Sequence, residues 1–323
     1  RIGLIMAYST IIKPNTNFTT RTYTATGAGS VSDVSFQPDF LWFKNRTVVG
    51  NHGLMDSVRG IKKILHSNDT NQEATSPANN DFETFTSNGF TYGTSSALDS
   101  GSGTPVTWLW KAGGTAVSNT DGTITSSVSA NTINGFSIVS YTGNLTGGAT
   151  IGHGLGDVPK FVIVKNIAAA AWDWTCYHAS LGNTRRIFLN SNSAGDTSSG
   201  GWNNTTPSSS VVTLGAGNET NNSNTMIAYC FAEKQGYSKF GSYTGNGNAD
   251  GTFVYTGFKP AFIMIKPSSK VEAWTMLDNK RLGYNPDNNY LYADTTQTEG
   301  TNDRLDIVSN GFKIRSSTGE INT

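Results

Sequence analysis

The apolar residues of this 323-residue chain come in runs of four to eight, separated by Gly, Asn, Asp and Ser. Short runs bounded by turn formers are the pattern of β-strands. No stretch holds apolar residues at three- and four-residue spacing, so an all-β chain without a long helix is expected. Three of the runs are one repeated phrase: Pro38-Asp39-Phe40-Leu41-Trp42-Phe43-Lys44, Pro159-Lys160-Phe161-Val162-Ile163-Val164-Lys165 and Pro260-Ala261-Phe262-Ile263-Met264-Ile265-Lys266. The lysines are 165 − 44 = 121 and 266 − 165 = 101 residues apart, which marks an array of homologous units about 100 residues long.

The agreement extends past the phrase. Twelve or thirteen residues beyond each Lys stands a polar residue with a basic element downstream: Asp56 with Arg59-Gly60, His178 with Arg185-Arg186, and Asp278 with Arg281-Leu282-Gly283. Units one and three share Ser87-Asn88-Gly89-Phe90 and Ser309-Asn310-Gly311-Phe312. Units one and two close on an aromatic, strand-like run, Val106-Thr107-Trp108-Leu109-Trp110-Lys111 and Met226-Ile227-Ala228-Tyr229-Cys230-Phe231-Ala232-Glu233, whereas the third copy reaches Thr323 without one. Two expectations follow: the chain continues, with Met6 as one possible start, or a partner supplies the closing strand.

The phrase also says how its strand is buried. A strand with one wet face alternates apolar and polar residues, and this one is apolar throughout, so both faces are expected to be covered. One side would face the unit's own core and the other a neighbouring unit, a loop or another subunit. The expected architecture is a tandem array of antiparallel β-sandwich modules of jelly-roll or lectin-like type. The expected boundaries are an N-terminal arm over 1–17, repeat one over 18–112, a small-residue linker over 113–133 with a possible edge strand from Ile124 to Ile133, repeat two over 134–233, and repeat three over 234–323. Asn-Gly and Asp-Gly pairs such as Asn88-Gly89, Asn134-Gly135, Asn310-Gly311, Asp121-Gly122 and Asp250-Gly251 suit hairpin turns that need positive φ.

Composition narrows the function classes. Glycine is abundant at 36 residues, and 23 basic side chains balance 23 acidic ones. A nucleic-acid binder would carry a basic stripe, so no nucleic-acid partner is expected. No apolar run is long enough to insert in a membrane as a helix. The two cysteines, Cys176 and Cys230, are expected to be free, half-buried thiols rather than a disulfide framework.

Candidate chemistry is sparse. His52, His66, His153 and His178 are scattered with no metal-ligand spacing. Gly152-His153-Gly154-Leu155-Gly156 lacks the Lys-Ser/Thr of a phosphate loop, and reads as a glycine-rich turn. Asp173 and Glu272 could be imagined as a glycosidase pair, but they fall at similar positions of different units. Asp287, Asn288, Asn289 and Asp294 form an oxygen-rich segment that matches no calcium loop. No catalytic residue, metal or cofactor is therefore assigned.

Recognition remains. Trp202, Asn203, Asn204, Tyr284, Tyr290 and Tyr292 combine aromatic platforms with short amides in Asn- and Gly-rich segments, a mix suited to sugars or protein partners. The alternatives are that Trp202 caps its own sandwich and that Tyr290 and Tyr292 pack inward. The remaining tryptophans, Trp42, Trp108, Trp110, Trp172, Trp174 and Trp274, lie in apolar runs and read as core.

The opening Met6-Ala7-Tyr8-Ser9-Thr10-Ile11-Ile12-Lys13-Pro14 with Thr22-Tyr23-Thr24, the phrase Ser35-Phe36-Gln37-Pro38-Asp39-Phe40, the run Trp110-Lys111-Ala112-Gly113-Gly114-Thr115, and Gly135-Phe136-Ser137-Ile138-Val139-Ser140-Tyr141-Thr142-Gly143-Asn144 carry a resemblance. It covers nearly the whole chain from Met6 to Thr323. The sequence resembles repeat-containing structural proteins of tailed bacteriophages, especially marine ones. What the resemblance implies is a virion location and a tail fibre or tail-associated adhesin that contacts the host surface, with other virion proteins and a surface glycan or protein as partners. A homo-oligomer is expected, with a trimer favoured because phage fibres of that type usually are. A capsid decoration protein and a polysaccharide-degrading tailspike are the alternatives.

Overall fold

The computed structural model describes residues 9–75, 82–94, 103–281, 285 and 288–323. Unit one contains β1 (Phe18–Thr22), β2 (Gly29–Val31), β3 (Phe40–Asn45), β4 (Gly53–Asp56), β5 (Lys63–Ile64), β6 (Ala74–Thr75), β7 (Phe82–Thr86), β8 (Gly89–Tyr92) and β9 (Pro105–Trp110). A connecting hairpin, β10 (Val117–Asn119) and β11 (Ser126–Asn131), leads into unit two. That unit contains β12 (Phe136–Thr142), β13 (Thr150–Gly152), β14 (Pro159–Asn166), β15 (Thr175–His178), β16 (Arg185–Phe188), β17 (Asp196–Thr197), β18 (Val211–Thr213) and β19 (Thr225–Ala232), with two short helices, α1 (Ser199–Trp202) and α2 (Asn218–Asn221). Unit three contains β20 (Phe253–Tyr255), β21 (Phe262–Ile265), β22 (Thr275–Asp278), β23 (Tyr290–Tyr292), β24 (Leu305–Val308) and β25 (Gly311–Ile314). The protein is all-β, as the apolar pattern predicts.

The repeated phrase forms β3, β14 and β21, and the polar residue that follows it lands opposite its Phe in every unit. Phe40 pairs with Asp56, Phe161 with His178 and Phe262 with Asp278, all in antiparallel ladders. In units one and two the closing run pairs with the other edge of the phrase strand: the orders are β1-β9-β3-β4 and β12-β19-β14-β15. The connecting segment is not merely a linker. Strand β11 pairs with β12, and β10 forms the outer edge of that sheet.

Alternate residues of the phrase enter two different cores. Phe40 and Trp42 of β3, and Phe161 and Ile163 of β14, share one central cluster with Trp274, Met276 and Leu291 of unit three, and Phe262 and Met264 pack against it. Their neighbours face outward layers: Leu41 and Phe43 join Phe82 and Phe90, Val162 and Val164 join Trp202 and Val212, and Ile263 and Ile265 join Leu305 and Ile314. The second face of β3 and β14 is thus covered by the other two units of the same chain, and that of β21 in part, which is why the phrase carries no polar alternation.

The outer layers of units one and three also match. Gly89 and Gly311 open β8 and β25 after the shared Ser-Asn turn, and each lies against the third strand of its layer. A Cβ on Gly89 would sit 1.7 Å from the Val31 carbonyl oxygen, and one on Gly311 would sit 2.1 Å from that of Val254. Only glycine lets the strands approach this closely.

Candidate functional site

The recognition candidates scatter. Trp202 is fully buried at the end of α1, its ring 5.7 Å from that of Tyr177 in a T-shaped contact. The expectation of an exposed platform is corrected. The Gly-rich sequence around Trp202 builds a tight helical turn, capped by the Ser198 hydroxyl on Gly200 N–H, that folds the indole under the outer layer. Asn203 and Asn204 are exposed just beyond it, both left-handed at φ 49° and 51°. Tyr290 is buried, with the Arg304 guanidinium 4.2 Å over its ring, and Tyr292 is half-buried and donates its hydroxyl to Glu320. Tyr284 lies outside the described residues.

The oxygen-rich segment is spent on structure. Asn288 Oδ1 accepts from Arg304 N–H, Asn289 donates to Glu299, and Asp294 accepts from Trp274 N–H, while Asp287 lies outside the described residues. Among the described residues no cluster of three metal-ligating side chains occurs. Cys176 and Cys230 are free but fully buried rather than half-buried. They point into different cores, central and outer, and burial pushes the Cys230 thiol up to about 12.

The buried polar groups gather at the joints between units, and they repeat around a ring. In one joint Tyr229 of β19 donates its hydroxyl to Asp56 Oδ2 of unit one at 2.8 Å. In the next, Trp108 of β9 donates its indole N–H to Asp278 Oδ2 of unit three at 3.0 Å. Each acceptor is held by an arginine three residues on, Arg59 on Asp56 at 2.5 Å and Arg281 on Asp278 at 2.8 Å. Burial opposes ionisation of Asp278, but the Arg281 guanidinium and two backbone N–H donors hold its carboxyl below the usual range. The residue at the matching ladder position of unit two is His178, opposite Phe161, and its Nδ1 accepts from Ser180 N–H of its own unit.

A second set of joints runs in the same sense. Trp174 donates to the His66 carbonyl, Trp274 to the Phe188 carbonyl, and His52 meets the Tyr292 carbonyl at 2.9 Å. Trp42 donates its indole N–H to His52 Nδ1 at 2.9 Å, so that nitrogen is the acceptor and Nε2–H faces unit three. Burial, with Lys44 nearby, pushes the His52 imidazole down to about 3 and keeps it neutral. The phrase lysines sit in carbonyl cradles, Lys165 on Thr70 and Trp172 and Lys266 on Asn192 and Pro267, and burial pushes these two and Lys44 each down to about 8.

The ring is incomplete at one place. A cleft of about 1090 Å³ opens along the free edge of β21. Across it runs Phe240–Thr244, whose Ser242-Tyr243-Thr244 matches Ser140-Tyr141-Thr142 of β12, but which pairs in no strand. Among the described residues, no strand pairs with that edge of β21. His178 and Thr323 are both among the residues that line the cleft. Phe262 and Met264 are only partly covered here, whereas Phe40 and Phe161 are 2% and 6% exposed.

With this geometry in hand, the chain belongs to the family described as Domain of unknown function (DUF7483), whose model matches residues 13–323. No curated protein matches the chain, and no solved structure matches it.

Proposed function

We propose that this protein is a structural component of a bacteriophage particle, a tail fibre or tail-associated adhesin that holds the host surface by repeated weak contacts. The observation that carries the reading is the use made of buried ionisable groups. Asp56, Asp278, Arg59, Arg281 and His52 are committed to joints between and within units, the arrangement of a rigid scaffold. Such a scaffold presents polar loops, among them the exposed Asn203-Asn204 tip, whose side chains are free to vary without touching the core. Weak sites on several units and copies would combine through effective concentration.

The test is twofold. Antibody labelling of purified particles under the electron microscope is expected to mark the tail, and isolated protein is expected to compete with particles for adsorption to host cells. Label on the capsid shell would replace this reading with a decoration protein. Release of reducing ends from host polysaccharide by the isolated protein would replace it with a tailspike enzyme.

A further inference from the structure

The three joints of the ring use one position in two ways. Four residues before Asp56, His178 and Asp278 stand His52, Trp174 and Trp274. Each lies two residues before the ladder partner of the third apolar residue of its phrase, Trp42, Ile163 or Met264. Trp174 and Trp274 donate an indole N–H across their joints, to the His66 and Phe188 carbonyl oxygens at 2.9 and 2.8 Å. His52, fully buried, makes the same contact with an imidazole, from Nε2–H to the Tyr292 carbonyl oxygen at 2.9 Å. An indole N–H does not titrate in water, whereas an imidazole does. We infer that the joint between units one and three is an acid-sensitive seam, at which the ring of units opens first as pH falls.

The closed joint does not accommodate a second proton on His52. Its Nδ1 already accepts the Trp42 indole N–H at 2.9 Å, so protonation there would set two donors against each other. The charged and titratable groups that face it are Lys44 of β3, His66 beyond β5 and Arg281 beyond β22, and each opposes a positive charge on the imidazole. The carboxylates of the same joint are engaged elsewhere, Asp278 with Arg281 at 2.8 Å, and Glu299 with Arg46 at 2.8 Å and Arg281 at 3.1 Å. The Tyr292 carbonyl favours the charged form, but burial outweighs it and pushes the imidazole from 6.5 down to about 3. An imidazole freed by opening takes up its proton near the ordinary value, so acid favours the open joint between about 6.5 and 3. Asp278, held by Arg281 below its usual 3.8, keeps its charge at pH 4.5 and does not drive the change there.

Backbone bonds that cross each joint report on it separately. Gly50 N–H to the Thr296 carbonyl and Glu299 N–H to the Arg46 carbonyl cross the seam between units one and three. Glu73 N–H to Ile167 and Ala171 N–H to Thr70 cross between units one and two, and Gly195 N–H to Ser268 and Glu272 N–H to Asn192 cross between units two and three. The inference goes beyond the adhesin reading and stands whether or not the protein is a virion component.

The test is residue-resolved amide exchange of the full 323-residue chain at pH 6.5, 5.5 and 4.5, with each rate divided by the intrinsic rate at that pH. Protection at Gly50 and Glu299 should fall by up to about tenfold per pH unit while that of the other four amides holds. Two variants remove the sensor in different ways. His52→Gln gives the Tyr292 carbonyl a donor that does not titrate, and Trp42→Ile with His52→Trp rebuilds the pair that unit two uses, Ile163 with Trp174. Both should flatten the fall at the seam. Protection at Gly50 and Glu299 that does not change with pH, or that falls equally at all three joints, would overturn the proposal. So would a fall at the seam that persists in His52→Gln, because the titrating group would then lie elsewhere.

Discussion

Trp108 and Asp278, 170 residues apart in sequence, are joined by a 3.0 Å hydrogen bond from indole N–H to carboxylate in the interior of the protein. The bond links β9, the closing strand of unit one, to β22 of unit three, while Arg281 neutralises the carboxylate from behind at 2.8 Å. Removing the indole donor in Trp108→Phe leaves a carboxylate still paired with arginine, and should cost about 1–2 kcal/mol. Asp278→Ala leaves Arg281 buried without that partner, and should cost about 3–5 kcal/mol. Urea denaturation of both variants checks the order; equal losses would show the arginine pair to be unimportant.

The phrase phenylalanines are equivalent in register but not in burial. Phe40 is 2% exposed inside the central cluster, and Phe40→Ala should cost about 3–5 kcal/mol. Phe262 borders the open cleft and is only partly covered, so Phe262→Ala should cost less than Phe40→Ala. Thermal melts of the two variants decide this, and a larger loss at Phe262 would contradict the open edge.

His52 links pH to stability. Its folded form is neutral, with burial pushing it from 6.5 to about 3, so unfolding takes up a proton between those values. Its contribution is fully present above about pH 6.5 and declines as pH falls toward 3, with a slope of at most ~1.4 kcal/mol per pH unit. The melting temperature of the natural chain should drop more steeply between pH 6.5 and 4.5 than that of His52→Gln. Parallel curves would show that the imidazole is not buried neutral.

Trp202 and its two neighbours separate core from surface. Trp202→Ala should lower stability by about 3–5 kcal/mol, because the ring fills the outer layer of unit two. Asn203→Gly with Asn204→Gly keeps the left-handed turn, since glycine adopts positive φ freely. That double variant should melt within a few degrees of the natural chain yet compete less well for host adsorption. Unchanged competition would remove this tip from the list of contacts.

The repeats, the all-β class and the two-sided burial of the phrase strands were legible in the chain because they rest on local pattern. Short apolar runs bounded by Gly and Asn, and a phrase recurring about every hundred residues, leave little choice of element. Even the equivalence of Asp56, His178 and Asp278 is foreshadowed by their place twelve or thirteen residues past the phrase lysine. What the pattern could not say is what meets the second apolar face, because a neighbouring unit, a loop and another subunit demand the same residues there. Only the tertiary structure shows three sheets turned toward one shared core, with Tyr229 and Trp108 reaching across to carboxylates of other units. Trp202 was misplaced for a related reason: a lone aromatic among Gly and Asn has no periodicity, and its burial is decided by a capped turn and a layer contributed from elsewhere in the chain. The cleft beside β21 is likewise a product of the tertiary structure, because the residues that line it come from all three units and no local pattern announces it.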